Sequence, residues 1–204
     1  VERNAQAMAG RSNVVLAALT ERRTTWADRW VFTRIARWML PELTRRGVPG
    51  WALVAAAALL AFAALAAIPL GWGGAGLAAA LVAVVLLVTS AALAVLMGEA
   101  RRANALEFAI TLLFVAATLS VGANERLVHG GWTAVVLALA AVGCQLLVER
   151  APARQRRWWS SPAAQLLLLA PLVLAGQAEA GLALLAVYAF STIAAAVEAS
   201  REKA

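Results

Sequence analysis

Residues 51–97 read WALVAAAALLAFAALAAIPLGWGGAGLAAALVAVVLLVTSAALAVLM, and this stretch decides the fold. It contains two apolar runs, 51–70 and 75–97, separated by an uncharged Gly-Trp-Gly-Gly turn. Neither run holds a charged residue, and each has the ~20 residues that an α-helix needs to cross the hydrocarbon layer of a bilayer. The stretch therefore predicts a helical hairpin that crosses a membrane twice. Thr89 and Ser90, in its second half, are expected to hydrogen-bond to their own helix.

Further apolar runs follow, and the whole chain is 63% hydrophobic and 14% charged. A soluble domain has ~45–50% apolar residues, so the composition indicates an all-α integral membrane protein. The last apolar region has two interpretations, because the polar segment 177–181 interrupts it. It forms either one span with Glu179 inside the bilayer or a hairpin of two short helices with Glu179 in an outer loop. The further runs are 105–121, 132–148, 163–176 and 182–197.

The Lys and Arg residues decide between these interpretations. With six spans and the N-terminus inside, the inner segments hold all of the 18 Lys and Arg residues except Arg126. Five spans would place Arg201 and Lys203 outside, against the positive-inside rule. The sequence therefore predicts six transmembrane helices in a bacterial-type inner membrane, with both termini cytoplasmic. Because the positive charges flank the spans and form no separate basic stripe, anionic lipid is the expected partner and nucleic acid is not.

The segment before the first span has a different pattern. Residues 1–24 are expected to form a cytoplasmic N-terminal segment, and residues 25–47 an amphipathic helix in the membrane interface, with Pro41 kinking or splitting it. Residues 48–198 are the predicted six-helix transmembrane domain and residues 199–204 a cytoplasmic tail. An anchoring role for the interfacial helix is favoured over direct binding of a substrate. The predicted interfacial anchors are Trp26, Trp30, Arg34 and Arg37 and, before the fifth span, Trp158 and Trp159.

A short charged joint, predicted at Gly98–Asn104, links the second and third spans. Its two arginines can hold a phosphate, because guanidinium groups form paired hydrogen bonds to phosphate oxygens. The alternative is that both arginines only determine the topology and pair with nearby carboxylates. Glu107, one turn inside the third span, is costly in a bilayer unless it has a partner. The candidate headgroup- or phosphate-binding residues are Glu99, Arg101, Arg102, Asn104 and Glu107.

Several kinds of site are excluded by residues that the sequence lacks. Asp28 is the only aspartate and precedes the first span, so paired-aspartate metal chemistry inside the membrane is absent. His129 is the only histidine and is expected in an outer loop at 124–131, on the opposite side from Asp28, so a Ser-His-Asp relay cannot form. Cys144 is alone, and there is no Gly-rich phosphate loop. No metal site, no cofactor and no catalytic residue is therefore predicted.

The layout of residues 25–200 resembles the CDP-alcohol phosphatidyltransferase family, whose members have an amphipathic interfacial helix, six transmembrane helices and both termini inside. The basic stretch Asp28–Gly50, with its turn Gly47-Val48-Pro49, is similar to the family's N-terminal region. The family's defining motif is Asp-Gly-x-x-Ala-Arg followed by Gly-x-x-x-Asp-x-x-x-Asp, whose aspartates hold divalent metals. The corresponding place here reads Leu96-Met97-Gly98-Glu99-Ala100-Arg101, so only Ala100-Arg101 matches, and no aspartate follows.

A resemblance without the aspartates implies a non-catalytic relative, a pseudoenzyme connected with phospholipid biosynthesis. The favoured function is that of a lipid-binding or partner subunit. It would bind anionic headgroups and associate with another membrane protein or with a second copy of itself. Two alternatives stay open: an active transferase with an atypical site near Glu99–Glu107, and a small transporter, for which the spans carry few polar groups.

Overall fold

The structure, a computed structural model, describes residues 31, 33–150 and 161–201. Within these residues the chain forms seven α-helices and no β-strand, which confirms the prediction of an all-α protein. The predictions for residues 1–24, for Trp26 and Trp30 and for Trp158 and Trp159 lie outside the described part. The helices are α1 (Thr33–Arg45), α2 (Gly50–Ala67), α3 (Gly73–Leu96), α4 (Ala100–His129), α5 (Thr133–Arg150), α6 (Pro162–Leu174) and α7 (Ala178–Arg201).

Three of these helices contain segments long and apolar enough to span a membrane. They belong to α2, α3 and α4, and α2 and α3 correspond closely to the two apolar runs from which the hairpin was predicted. The three spanning segments are Gly50–Ala67, Gly73–Val95 and Arg101–His129. The other three helices of the predicted membrane domain contain shorter apolar segments, Thr133–Leu147, Pro162–Leu174 and Ala178–Ser191.

Helices α2 to α7 pack side by side, and consecutive helices run in opposite directions. Near the end of α3, the Ser90 hydroxyl donates a hydrogen bond to the carbonyl oxygen of Gly50 at the start of α2, over 3.2 Å. At the opposite end, a Cβ atom on Gly74 of α3 would collide with Leu174, the last residue of α6. We call the end where α2 and α4 begin, and where Arg102 lies, the basic end.

Helix α4 is longer than the sequence predicted, and two assignments were wrong. The joint predicted at Gly98–Asn104 shrinks to residues 97–99, because α4 begins at Ala100. The outer loop predicted at 124–131 is mostly helix, because α4 continues to His129. A side-chain contact one turn apart, between Glu125 Oε2 and His129 Nε2 at 3.4 Å, supports this last turn. Gly130, with φ 76°, then ends the helix in the left-handed conformation.

The C-terminal apolar region forms two helices, as the hairpin interpretation predicted. α6 ends at Leu174, a turn at residues 175–177 follows, and α7 begins at Ala178. Glu179 belongs to the first turn of α7, not to a loop, and is exposed. A carboxylate there is favourable, because the first turn of a helix has a partial positive charge.

Helix α1 lies against the last turns of α3. Its buried residues Ala36 and Leu40 are four apart, and Leu40 packs with Ala92 of α3. The helix is not split at Pro41, contrary to one of the two predicted outcomes, and runs unbroken from Thr33 to Arg45. Pro41 is exposed, so water can take the hydrogen bond that the carbonyl of Arg37 loses.

Candidate headgroup site at the basic end

The geometry of the candidate site centres on Arg102, in the first turn of α4. Its Nη1 donates to Oε2 of Glu99 over 3.0 Å, which makes an ion pair between residues three apart. Its Nη2 lies 3.2 Å from the point where a Cβ atom of Gly50 would be, and Ser90 Oγ lies 3.8 Å from the same point. Arg102 therefore reaches from α4 across to the first residue of α2, where a Cβ atom on Gly50 would crowd its guanidinium.

The start of α2 adds a second source of positive potential. The residue that caps it is Pro49, and no side chain accepts a hydrogen bond from the first N–H groups of the helix. Unpaired N–H groups and the helix dipole together favour an anion at such a position. The guanidinium of Arg102 and the N-terminus of α2 thus lie at one place, beside the Ser90 hydroxyl. We call Gly50, Ser90, Glu99 and Arg102 the Arg102 cluster.

The other predicted site residues lie nearby along α4 and face outwards. Arg101, Asn104 and Glu107 are all exposed at the surface of the helix. The backbone oxygen of Glu107 accepts a long hydrogen bond of 3.5 Å from the Thr111 hydroxyl. The structure thus pairs Glu99 with Arg102, and it does not enclose Glu107 in the interior of the bundle. Binding of a headgroup by these residues stays a prediction.

Helix α1 contributes more positive charge. Arg34 and Arg37 are exposed, and Arg46, just beyond the helix, donates from Nε to Oε1 of Glu42 over 2.6 Å. This hydrogen bond, together with the charge of Arg45, holds the pKa of Glu42 below its ordinary value of 4.5. A carboxyl whose pKa is lowered by folding stabilises the fold above that ordinary value, and the stabilisation disappears as the pH falls through the lowered pKa. The Glu42 pair is therefore intact at neutral pH.

Sequence reasoning did not single out Trp38, which the structure places on the exposed face of α1. Its side chain is 82% exposed, on the side of α1 opposite to Leu40. With Met39, Leu43 and the Glu42–Arg46 pair, it lines a shallow groove of about 560 Å³ on the outside of α1. The signal was present in the sequence, because Trp38 follows Arg34 by one helical turn and so lies on the cationic face.

The buried polar groups of the bundle were also only partly predicted. Thr89 donates to the carbonyl of Val85 in its own helix over 2.8 Å, as expected, whereas Ser90 bonds across to α2. Gln145 of α5 and Gln165 of α6 were not predicted as a pair. Nε2 of Gln165 donates to Oε1 of Gln145 over 2.5 Å, and both side chains are buried. The sequence did contain a sign of this pair. Each glutamine is the one amide in its apolar run, where an amide needs a hydrogen-bond partner.

No group of three or more His, Cys, Asp or Glu side chains that could hold a metal ion occurs among the residues that the structure describes. Comparison of the chain with protein-family models, with characterised proteins and with solved structures gave no match.

Proposed function

We propose that this chain is a six-span inner-membrane protein that binds anionic lipid headgroups at its basic end without catalysing a reaction on them. The observation that carries the proposal is the Arg102 cluster. There a guanidinium and an uncapped helix N-terminus meet beside a glycine, with Arg101 exposed next to them. Arginine beside a helix N-terminus is suited to phosphate oxygens, which accept several hydrogen bonds at once.

The exposed surface supports the membrane assignment. α2 has 18 residues, about 27 Å at ~1.5 Å per residue, which approaches the ~30 Å of a hydrocarbon layer. Trp51 is exposed at the start of this helix, and Trp72 and Trp132 are exposed at the opposite end of the bundle. Tryptophan collects at both interfaces of a membrane, so these side chains are placed as two aromatic belts would be. The surface between the belts is apolar and includes Leu59, Phe62, Phe108, Leu112, Val136, Leu139, Val187 and Phe190.

The orientation in the membrane follows from the positive charges. The basic end carries Arg101 and Arg102, and α1 with its arginines packs beside it. The opposite end carries Arg126, whose Cζ lies 3.2 Å from the ring centre of Trp132. By the positive-inside rule the basic end faces the cytoplasm, with both termini on that side. Helix α1 then lies at the cytoplasmic interface, where Trp38 inserts among the lipids.

The relation to the CDP-alcohol phosphatidyltransferases is part of the same proposal. Where the family's motif begins with aspartate this chain has Leu96, and the one carboxylate of the stretch 96–101, Glu99, is paired with Arg102 at 3.0 Å. Because the aspartates that would hold the metal ions are missing, a lipid-binding subunit is favoured over an active transferase. A transporter is disfavoured, because the buried side chains towards the far end of the bundle, among them Ile68, Leu77, Val121, Ala134 and Leu182, are apolar.

The binding proposal is tested by replacing the arginines at the basic end. We expect Arg101→Ala/Arg102→Ala to weaken the preference for phosphatidylglycerol over phosphatidylcholine by about thirtyfold, because each arginine near an anionic headgroup contributes ~1 kcal/mol. The measurement is native mass spectrometry of the lipids retained by the purified protein in mild detergent. Arg126→Ala is the matched control, since Arg126 lies at the opposite end and should leave the preference unchanged.

Two results would contradict this proposal. One is an equal loss of preference in the Arg126 variant, which would mean that net charge alone attracts the lipid. The other is a nucleotide or a divalent metal found beside Arg101 by titration, which would favour the active transferase.

Glu107 tests whether the third predicted span carries a catalytic carboxylate. We expect Glu107→Gln to change the midpoint of thermal unfolding by no more than a few degrees, since its carboxylate lies on the exposed surface of α4. Lipid composition of the expressing cells should not change. A clean loss of one lipid product, at normal expression of the variant, would show that Glu107 takes part in a reaction.

A further inference from the structure

Helix α6 begins deep inside the bundle. It has 13 residues against 24 in α3, so it covers about 20 Å against about 36 Å at ~1.5 Å per residue. Its last residue, Leu174, meets Gly74 at the start of α3. Because the two helices are antiparallel, the first residue of α6, Pro162, lies beside the middle of α3. Among the described helices, α3, α4, α5 and α7 continue past this point towards the basic end.

The first turn of α6 carries Gln165, whose side chain is 1% exposed. Its Nε2 donates to Gln145, but its Oε1 has no hydrogen-bond partner. Flipping the Gln165 amide, so that Oε1 and Nε2 exchange places, does not remove the problem. One of these two atoms is then still without a hydrogen-bond partner. A buried polar atom without a partner costs about 1–3 kcal/mol, and native proteins rarely leave one unsatisfied.

A second unsatisfied group lies on the neighbouring face of α4. Thr118 is 0% exposed, and its Oγ1 also has no hydrogen-bond partner. Thr111 and Thr118 share one side of α4 with Gly122, because spacings of seven and eleven residues return to the same side of a helix. That side packs on α5, where a Cβ atom on Gly122 would lie 2.8 Å from Ala138 Cβ and 3.0 Å from Ala134 O.

Gln145 lies on the matching side of α5. It follows Ala134 by eleven residues and Ala138 by seven, so it points towards the same side as they do. In antiparallel helices, seven residues beyond Ala138 correspond to about seven residues before Gly122, which is between Thr111 and Thr118. Four uncharged polar side chains are therefore gathered where α4, α5 and the start of α6 meet. We call Thr111, Thr118, Gln145 and Gln165 the polar seam.

We propose that the polar seam is a binding site for a neutral hydroxyl group, supplied by water or by an uncharged lipid alcohol. A hydroxyl can donate to Oε1 of Gln165 and can also exchange a hydrogen bond with Thr118, so it satisfies both unpaired atoms. A charged ligand is excluded, because the seam has no charged side chain that could compensate the ligand's charge in an apolar interior. The site is independent of headgroup binding at the Arg102 cluster.

The test compares two buried neighbours in a Cys144→Ser background. Thr118→Cys and Ala117→Cys place a thiol at adjacent positions that are both 0% exposed. A thiol reacts as its thiolate, which forms next to water and not in dry apolar surroundings. In phosphatidylcholine vesicles we expect N-ethylmaleimide to modify the Thr118 variant at least about tenfold faster than the Ala117 variant.

The source of the hydroxyl is found by adding dioleoylglycerol to the vesicles. Slower modification of the Thr118 variant identifies a lipid alcohol, and an unchanged rate identifies water. Equal rates for the Thr118 and Ala117 variants, in folded protein, would overturn the proposal. Should the Thr118 variant fail to fold, Gln165→Cys against Leu166→Cys repeats the comparison on α6, where both native side chains are buried.

Discussion

Gly122→Leu is expected to separate α4 from α5 and to destabilise the protein by about 3 kcal/mol, the upper part of the usual range for overpacking. A Cβ atom at Gly122 would lie 2.8 Å from Ala138 Cβ and 3.0 Å from the carbonyl oxygen of Ala134. The carbonyl belongs to the backbone of α5 and cannot move aside without moving the helix. The measurement is reversible unfolding in mixed micelles, followed by circular dichroism.

Gly143→Leu is the matched control for this prediction. Gly143 is also inside a helix, but nothing lies within 4 Å of the position of its Cβ atom. Leucine has a better helix propensity than glycine by somewhat less than ~1 kcal/mol, so this variant should be as stable as the parent or slightly more stable. A Gly122 variant that unfolds together with the Gly143 variant would show that α4 and α5 are not in close contact.

The second large effect is expected at the buried amide pair. Gln145→Leu removes the acceptor of Gln165 and leaves that amide with no known partner, so the variant should lose about 2 kcal/mol. In Gln145→Leu/Gln165→Leu both amides are replaced by apolar side chains of similar volume, and the loss should be smaller than the sum of the two single losses. The coupling energy should be about 1 kcal/mol, within the range measured for hydrogen bonds between membrane helices.

This double-mutant cycle has a clear negative outcome. Strictly additive losses would mean that the two amides do not interact. Thr89→Val serves as a control, because the Thr89 hydroxyl bonds only to the carbonyl of Val85 in its own helix and should not couple to Gln165.

The sequence predicted those parts of the fold that are determined by the length and composition of the apolar runs. The runs 51–70 and 75–97 became α2 and α3, because a long run without charge has few other structures available. The ends of α4 could not be predicted in this way. Asn124, Glu125 and Arg126 look like loop residues by polarity, yet α4 continues through them, with a Glu125–His129 contact in its last turn and Gly130 after its last residue. The position of α6 along the bundle axis depends on its contacts with α3. The sequence of α6 alone does not indicate these contacts.

The candidate site shows the same limit. That Glu99 and Arg102 pair was one of the alternatives, because residues three apart are neighbours on a helix. The contact of Arg102 with Gly50 joins residues 52 positions apart, and no local sequence pattern predicts it. A glycine at the start of a helix is normally interpreted as part of the preceding turn. Here its missing side chain makes room for an arginine from another helix.

The length of α4 has a consequence for the kind of membrane that suits this protein. Arg102 and Arg126 lie 24 residues apart on one unbroken helix, a separation of about 36 Å at ~1.5 Å per residue. That distance exceeds the ~30 Å of the hydrocarbon layer and is shorter than the ~40–45 Å of a whole bilayer, so both charges reach headgroups in a bilayer of ordinary thickness. In a thinner bilayer α4 has to tilt, and the helices packed on it tilt with it. In the membrane placement that we propose, the angle between the basic end and the bilayer surface therefore depends on the thickness of the bilayer, and the access of headgroups to Arg102 depends on that angle.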